Sequence, residues 1–284
     1  MAPSAKRPRV NETSSGSDPK RIVLELLTAA HPNDSPVAQL VRACEVVGVD
    51  DNNVRVILAR LVAAGTVELA GRGVYRLGRA ARPLTEQVLS WRELDKQVRR
   101  WDGGWAFVQL AHLPRSDRAA LRRRERALRL LGFRELERGL AVRPDNLVGG
   151  VAGLRDRLVA LGVDDQAIVT RASELDDATE ARARRLWDGE RLTQSYRQTA
   201  ERIERWLVAA EDLSPRVAAR EAFWFGGDVL RKIMYDPRLP EPLVDVTARR
   251  GLVDAARRLD AAGRRIWAGL FGLAPSVMEE RHAS

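Results

Sequence analysis

The stretch DDNNVRVILARLVAAGTVELAGRGVYRL, residues 50–77, decides how the N-terminal part of the chain folds. Its first half repeats apolar side chains at i, i+3, i+4 and i+7, which is the pattern of an amphipathic helix. Asp50 stands where such a helix needs an N-cap. Its second half alternates apolar and polar residues on both sides of Gly71-Arg72-Gly73, so it predicts a β-hairpin that turns at the glycines. The apolar helix positions are Val54, Ile57, Leu58 and Leu61.

Two further helices precede this stretch. Apolar residues between Ile22 and Leu27 predict a short helix that ends near Ala30, since the prolines of His31–Pro36 favour a turn. Helical spacing resumes at Val37 and runs to Gly48, a residue typical of the C-terminal end of a helix. Three helices followed by a hairpin predict a winged helix-turn-helix DNA-binding domain over residues 18–80.

The rest of the chain changes its period twice. Residues 81–101 predict a linker helix, and residues 102–174 predict strands and helices in the order βαββαβ, the ferredoxin-like split unit. Residues 175–284 are helical in pattern throughout and predict an all-α domain. The expected fold class is therefore α+β and multidomain, with a winged helix-turn-helix, a ferredoxin-like centre and a helical C-terminal domain.

The helix after Asp50 is the candidate for entering the major groove of DNA. A rotation of about 100° per residue turns a mostly polar face outward when Val54 is buried. Asparagine pairs bidentately with adenine and arginine with guanine. The alternative is that the arginines only keep an exposed face solvated. The candidate DNA-binding residues on this helix and at the hairpin tip are Asn52, Asn53, Arg55, Val56, Ala59, Arg60 and Arg72.

The positive charge of the chain is concentrated in one segment. The chain has 48 Lys+Arg against 39 Asp+Glu, a net charge of +9, and fourteen basic against six acidic residues fall within 79–134. Such a field attracts polyanions, nucleic acids among them. On the helix predicted at 116–131 and in its entry loop, five arginines form one stripe that binds DNA phosphates, binds ligand phosphates or is simply a solvated face. The stripe consists of Arg115, Arg118, Arg122, Arg126 and Arg129.

Residues 1–17 are small, polar and aperiodic, so they predict a flexible basic arm. Lys6, Arg7 and Arg9 in this arm are candidate contacts to DNA phosphates, and the alternative is a tail without a function.

The sequence favours binding over catalysis. Cys44 is the single cysteine and lies on an apolar helix face, so we expect a buried thiol and no nucleophile. The histidines, His31, His112 and His282, share no carboxylate cluster, so no metal site and no cofactor are expected. No run of 18 apolar residues predicts a membrane span. We therefore expect a cytoplasmic protein that is not an enzyme.

Two other classes of function remain open. A metal-dependent nuclease built on the ferredoxin-like domain requires acidic ligands at the end of its first strand, but no carboxylate follows Trp105–His112 until Asp117. An architectural DNA binder without a ligand would occupy many unrelated sites. These alternatives are separated by cleavage in the presence of Mg²⁺ and by the number of sites bound.

Several segments resemble the phenylacetic-acid catabolism repressor (PaaX-type) family of bacterial transcriptional regulators. The motif Arg143-Pro144-Asp145-Asn146-Leu147 and the loop Asp236-Pro237-Arg238-Leu239-Pro240 are the most specific of them. The resemblance covers nearly the whole chain from about residue 18. Its segments, in chain order, are Val54–Leu61, Trp101–Trp105, Gly132-Phe133, Gly139–Leu147 and Asp236–Pro240.

The resemblance implies the same three-part architecture and a homodimeric repressor that leaves double-stranded operator DNA when it binds an acyl-CoA, typically phenylacetyl-CoA. Such a repressor controls aromatic-acid catabolism or a related pathway and works at the nucleoid in the bacterial cytoplasm. The resemblance also makes Trp105, Arg143 and Asn146 candidate effector-binding residues, for which the alternative is a core tryptophan and a capped turn.

The chain departs from the family pattern in two places. Val56 and Ala59 stand where the family usually has small hydroxyl residues, which concerns the operator contacts. Val244–Ala248 replaces a segment that usually contains Trp-Pro, which concerns the effector.

Overall fold

The computed structural model describes residues 18–30, 33–81, 85–86 and 89–271. The predicted arm with Lys6, Arg7 and Arg9 lies outside the described residues, as do His31 and His282. The chain divides into two compact units. The first comprises 1–85, 212–227 and 262–284, and the second comprises 86–211 and 228–261.

Helices and two antiparallel sheets alternate along the chain, so the predicted mixed α+β class is confirmed. The helices are α1 (Pro19–Ala30), α2 (Val37–Val46), α3 (Asp51–Ala63), α4 (Arg118–Leu130), α5 (Gly150–Ala160), α6 (Asp177–Arg184), α7 (Gly189–Ala209), α8 (Pro215–Met234) and α9 (Val246–Phe271). The strands are β1 (Ser35–Pro36), β2 (Val67–Gly71), β3 (Val74–Leu77), β4 (Trp105–Gln109), β5 (Arg134–Glu137), β6 (Leu140–Pro144) and β7 (Ile168–Ala172). None of the helices in the described ranges is long and apolar enough to cross a bilayer.

In the first unit, α1, α2 and α3 precede the β2–β3 hairpin. The Asp50 carboxylate accepts a hydrogen bond from the Asn53 backbone N–H at 3.0 Å and caps α3 as expected. The apolar face of α3 is buried in a core shared with α1, α2 and the hairpin. Ser35–Pro36, which the prolines predicted as a turn, adds a short strand beside β3, so the sheet order is β1-β3-β2.

Aromatic residues from the last third of the chain complete this core. Phe223, Trp224, Trp267 and Phe271 pack against it, and the rings of Phe223 and Trp224 meet edge to face at 5.1 Å. The Arg42 guanidinium lies 5.2 Å from the centre of the Phe271 ring. Parts of α8 and α9 therefore belong to the same unit as α3.

In the second unit, β4, α4, β5, β6, α5 and β7 follow one another in the order βαββαβ. The sheet has the order β5-β6-β4-β7, and every neighbouring pair is antiparallel. Trp105 at the start of β4 lies opposite Pro144 on one side and Ala172 on the other. The pairing of these two central strands thus brings the start of β4, with Trp105, beside the C-terminal end of β6.

Within the predicted linker helix over 81–101, the described residues are helical at 85–86 and 89 and are less regular after that than the periodicity indicated. Ser90–Gln97 is a 3-10 helix with non-helical backbone at Glu93, while Leu84 and Val88 lie outside the described residues. The chain after Gln97 is extended because it pairs with the turn that follows β6. The Arg99 N–H donates to the Asn146 carbonyl at 2.8 Å, and Val98 bridges Leu147.

Candidate functional site

The outward face of α3 carries every residue that the sequence proposed there for DNA contact. Val54 and Leu58 on the opposite face are fully buried, which fixes the rotation of the helix. Val56 is 50% exposed although it is apolar. The exposed set is Asn52, Asn53, Arg55, Val56, Ala59 and Arg60.

Two polar residues of this face are already held within the helix. The Asn53 side-chain amide donates to the Asp50 carboxylate at 3.3 Å, so it belongs to the N-cap. The Arg55 Nε donates to Asp51 Oδ1 at 2.8 Å, one turn away, and both side chains are exposed. The side chains of Asn52 and Arg60 make no hydrogen bond or ion pair with the residues that the structure describes. The Arg55 side chain is therefore oriented by an acidic neighbour, whereas the side chains of Asn52 and Arg60 have no such partner among the described residues.

The β2–β3 turn presents Arg72 to solvent, as the sequence predicted. Gly73 beside it has φ +71, a left-handed conformation that a residue with a Cβ rarely adopts. Further along the hairpin, Arg76 on β3 pairs with Glu68 on β2 at 2.8 Å. The turn is thus shaped by its glycine, and the charge at its tip is unpaired among the described residues.

All five arginines of the stripe on α4 and its entry loop are exposed. Within the described ranges, no carboxylate lies within 4.0 Å of the first four, and the Arg129 guanidinium lies 5.1 Å from the centre of the Tyr235 ring. Arg118, Arg122 and Arg126 follow one another at i, i+4, a spacing at which like charges destabilise a helix. Some exposed arginines elsewhere in this unit are paired with carboxylates, among them Arg182 with Glu137 and Arg258 with Glu204.

The side of α4 opposite the stripe is not uniformly apolar and buried. Leu131 is buried, but Leu121 and Leu128 are only half-buried, and Arg124 is buried in the core-facing row. The Arg124 Nη1 donates to the Pro114 carbonyl at 2.8 Å, which satisfies the buried charge in part. An i, i+3, i+4 count cannot anticipate an inward-facing arginine whose partner lies in a loop.

Leu121 and Leu128 line a groove of about 360 Å³ between α4 and the β5–β6 hairpin. Leu110, Phe133 and Leu140 contribute further apolar surface to it. The charged residues around it are Arg115, Arg129, Arg134, Glu125 and Glu135, with Arg124 beneath. We call this the α4 groove.

A second cavity, of about 290 Å³, lies between the start of α7 and the segment Pro242–Asp245. Arg197 and Asp245 form an ion pair of 2.6 Å at its edge. A Cβ on Gly189 would lie 1.8 Å from the Leu243 carbonyl oxygen, so only glycine permits this close approach. Hydrogen bonds from the Ala248 backbone N–H and from Arg197 lower the pKa of Asp245.

Trp105, a candidate effector residue, is fully buried. Its indole Nε1 donates to Glu180 Oε2 at 2.5 Å, and its ring stacks on Trp187 with 6.2 Å between centroids. The arrangement is that of a core tryptophan, the alternative that the sequence left open.

The structure brings the other two effector candidates, Arg143 and Asn146, together inside the protein. Arg143 is fully buried and donates to the Pro144 carbonyl at 3.0 Å, to the Leu131 carbonyl and to Asn146 Oδ1 at 2.8 Å. Burial and the nearby Arg238 lower the pKa of Arg143 to about 9. A ligand would reach this pair only after the buried network opened.

The loop Asp236–Pro240 completes this network. The Asn146 amide donates to the Arg238 carbonyl at 2.8 Å, and the Arg238 Nη1 donates to Gln97 Oε1, also at 2.8 Å. Arg238 has φ +54, and a Cβ on Gly132 would lie 2.7 Å from the Pro237 backbone. The sequence motifs Arg143–Leu147 and Asp236–Pro240 are therefore connected by a buried hydrogen-bond network. Their spacing in the sequence cannot reveal this contact.

The described ranges contain no group of three or more His, Cys, Asp or Glu side chains arranged to hold a metal ion. The His112 ring nitrogen lies 3.0 Å from the Gln166 carbonyl oxygen, and Asp117 caps α4.

Comparison with known proteins adds two findings. Among solved structures, the chain is similar to "Uncharacterized protein Rv0674 from Mycobacterium tuberculosis", with a TM-score of 0.56 and 22% identity over 88% of this chain and 97% of that chain. At this identity the likeness shows the fold alone. No curated protein matches the sequence. Residues 187–269 match the family described as "PaaX-like protein C-terminal domain". Residues 187–269 thus resemble the C-terminal domain of PaaX-like proteins, and over this segment the predicted resemblance is confirmed.

Proposed function

We propose that this protein is a DNA-binding transcriptional regulator that inserts α3 into the major groove. The observation that carries the proposal is the exposed face of α3, which combines Asn52, Arg55 and Arg60 on a capped helix whose other face is buried. In this proposal residues 18–80 act as a winged helix-turn-helix, and Arg72 at the hairpin turn contacts a minor groove or a phosphate. The order α1-α2-α3-β2-β3 and the exposure of Arg72 support it.

In this proposal the second unit has a regulatory role and not a catalytic one. We assign residues 102–174 to a ferredoxin-like domain, because the elements follow the order βαββαβ in a sheet of order β5-β6-β4-β7. The PaaX-like domain at 187–269 supports a regulator of the same kind. Incubation with Mg²⁺ and nucleic acid tests the rival nuclease, and cleavage that a chelator abolishes would establish it. Occupancy of many unrelated genomic sites would favour an architectural binder.

The mechanism in this proposal has two states. A homodimer presents two copies of α3 to a pseudo-palindromic operator and represses, and an effector favours a state in which the two helices no longer fit. To move the equilibrium from almost fully bound to almost fully released, the effector must prefer the second state by about 5.5 kcal/mol.

The effector in this proposal is an acyl-CoA such as phenylacetyl-CoA, and the regulated pathway is aromatic-acid catabolism or a related one. The α4 groove supports it, because its apolar lining suits an acyl group and its arginines suit phosphates. We propose the α4 groove as the effector site instead of Trp105, Arg143 and Asn146. All three of these residues are buried and hydrogen-bonded to other residues of the chain.

The DNA-binding proposal is tested with the full-length chain and duplexes selected from a random library. Arg55→Ala should weaken binding to the selected duplex by about 1–3 kcal/mol and relax specificity at one base pair. Arg21→Ala is the matched control, because Arg21 is an exposed arginine that pairs with an acidic residue of its own helix, Glu25, at 3.1 Å. Equal effects of the two substitutions, or no selected duplex, would refute the proposal.

The effector is tested by fluorescence anisotropy of the bound duplex with phenylacetyl-CoA, CoA or phenylacetate added. We expect release by the thioester alone, and loss of release in Arg115→Gln/Arg129→Gln. Arg197→Gln, which alters the second cavity, should respond like the wild type. If instead Arg197→Gln alone abolished release, the effector would bind beside Val244 and Asp245.

A further inference from the structure

Apolar side chains occupy the middle of the exposed face of α3. Val56, Ala59 and Ala63 follow one another at i, i+3 and i+7 and are all exposed. Val56 is 50% exposed, whereas Val54, Leu58 and Leu61 on the opposite side are fully buried. Packing within the unit therefore does not account for the apolar row.

The polar side chains on this face lie toward its two ends and do not cover the apolar row between them. Asn53 and Arg55 are engaged by Asp50 and Asp51, so their side chains are drawn toward the N-terminal end of α3. Asn52 lies one turn before Val56, and Arg60 lies one turn after it. The face thus has, in sequence, an amide, an apolar centre and a guanidinium, and the two polar groups have no partner in the part of the chain that the structure describes.

The major groove of DNA offers one apolar group at its base edges, the C5-methyl group of thymine. A branched aliphatic side chain at the centre of an inserted helix removes such a methyl group from water, whereas a hydroxyl residue would compete for hydrogen bonds. Ala59, with a single methyl group, allows the helix to approach the bases closely.

We propose that Val56, with Ala59 beside it, reads thymine methyl groups at the centre of each operator half-site. Asn52 and Arg60 then hydrogen-bond to the base pairs on either side. The inference rests on the proposed DNA-binding function and adds to it the base class that the centre of α3 recognises.

The test is a cycle that combines a protein substitution with a DNA substitution. Each thymine of a duplex selected from a random library is replaced in turn by deoxyuridine, which removes only the methyl group. At one or two central positions of the half-site, the wild-type protein should bind the uracil duplex about fourfold more weakly per methyl group lost. Val56→Ala should bind thymine and uracil duplexes alike at those positions.

The matched control is Leu69→Ala, because Leu69 on β2 is also an exposed apolar residue, at 55%. This variant should keep the wild-type preference for thymine at the central positions. Circular dichroism checks that both variants are folded, as we expect for substitutions of exposed side chains.

The outcomes distinguish a failure of this inference from a failure of the proposed DNA-binding function. If no duplex is selected, the DNA-binding function fails and the inference fails with it. A selected duplex in which uracil is neutral at every position would leave the function standing and overturn the inference. A uracil effect that persists unchanged in Val56→Ala would also overturn it, since another residue would then contact the methyl group.

Discussion

The side-chain amide of Asn146 donates a hydrogen bond of 2.8 Å to the backbone carbonyl oxygen of Arg238, 92 residues further along the chain. Arg143 in turn donates to Asn146 Oδ1 at 2.8 Å, and all three residues are buried. The turn after β6 and the loop before α9 are thus joined by one continuous polar network. The two most specific motifs of the chain meet at this junction, where their polar side chains are hydrogen-bonded to each other and to the backbone.

Asn146→Ala removes the centre of this junction. It leaves the Arg143 guanidinium and the Arg238 carbonyl without their partner, and each buried group left unsatisfied costs about 1–3 kcal/mol. We therefore expect a clear fall in the urea midpoint. Gln166→Ala serves as the control, because it removes an exposed amide side chain from the same unit and should leave the midpoint nearly unchanged. Equal midpoints for the two variants would show that the network contributes little to stability.

Gly132→Ala tests the close approach of the loop that contains Pro237. Gly132 and Gly103 both have left-handed backbone, with φ of +74 and +92, so alanine strains both positions by about 1–2 kcal/mol. A Cβ at 132 would in addition lie 2.7 Å from the Pro237 backbone, while one at 103 would meet nothing within 4 Å. Gly132→Ala should therefore lower the free energy of unfolding by more than Gly103→Ala does. A difference of zero in denaturant titrations would mean that the loop moves aside freely.

Cys44 should be inert while the protein is folded. The thiol is fully buried, and burial raises its pKa from 9.0 to about 12. The thiolate fraction at pH 8 is therefore about a thousandfold below that of an exposed cysteine. We expect Ellman's reagent to react slowly with the native protein and rapidly in urea. Fast reaction in the native state would show that the hydrophobic core of the first unit opens locally.

The same shift fixes the pH dependence of stability contributed by Cys44. The folded-state pKa exceeds the unfolded one, so the contribution is constant below pH 9 and is lost as pH rises from 9 toward 12. The difference in unfolding free energy between the wild type and Cys44→Ala should accordingly shrink above pH 9. A constant difference between pH 7 and pH 11 would contradict the burial of the neutral thiol.

The local elements were predictable wherever a single period governs burial. Val54, Leu58 and Leu61 repeat with the helical period, and Asp50 supplies its own cap, so the exposed face of α3 followed directly. The order βαββαβ was predictable because alternation and turn residues mark its strands. The class of the fold and the residues of the α3 face therefore needed no tertiary information.

What the sequence could not supply depends on contacts between distant segments. Arg124 lies on an inward face, where its guanidinium donates a hydrogen bond to the Pro114 carbonyl in the loop before α4. Phe223 on α8 and Trp267 on α9 pack against the hydrophobic core of the first unit, although no local sequence pattern predicts this contact. The resemblance made Arg143 and Asn146 candidate effector residues, but linear spacing could not show that both side chains lie in a buried hydrogen-bond network.

The arginine stripe on α4 offers the last prediction, because its three possible roles differ in measurable ways. Arg118, Arg122 and Arg126 are exposed, lie at i, i+4 and have no carboxylate within 4.0 Å among the described residues. Each like-charged pair at this spacing costs about 0.2–0.5 kcal/mol. Replacing all three by glutamine should therefore raise the stability of the protein slightly.

The matched control replaces Arg182, Arg197 and Arg258, which are exposed and paired with Glu137, Asp245 and Glu204. Both triple variants lower the net charge by the same amount, but the control loses three ion pairs and should not gain stability. If the stripe binds DNA phosphates in both protomers of the homodimer, its variant should reduce the slope of log Kobs against log salt by about 5, while the control keeps the wild-type slope. Equal slopes combined with weaker phenylacetyl-CoA binding would assign the stripe to a ligand. If neither measurement separates the stripe variant from the control, these three arginines only solvate this face of α4.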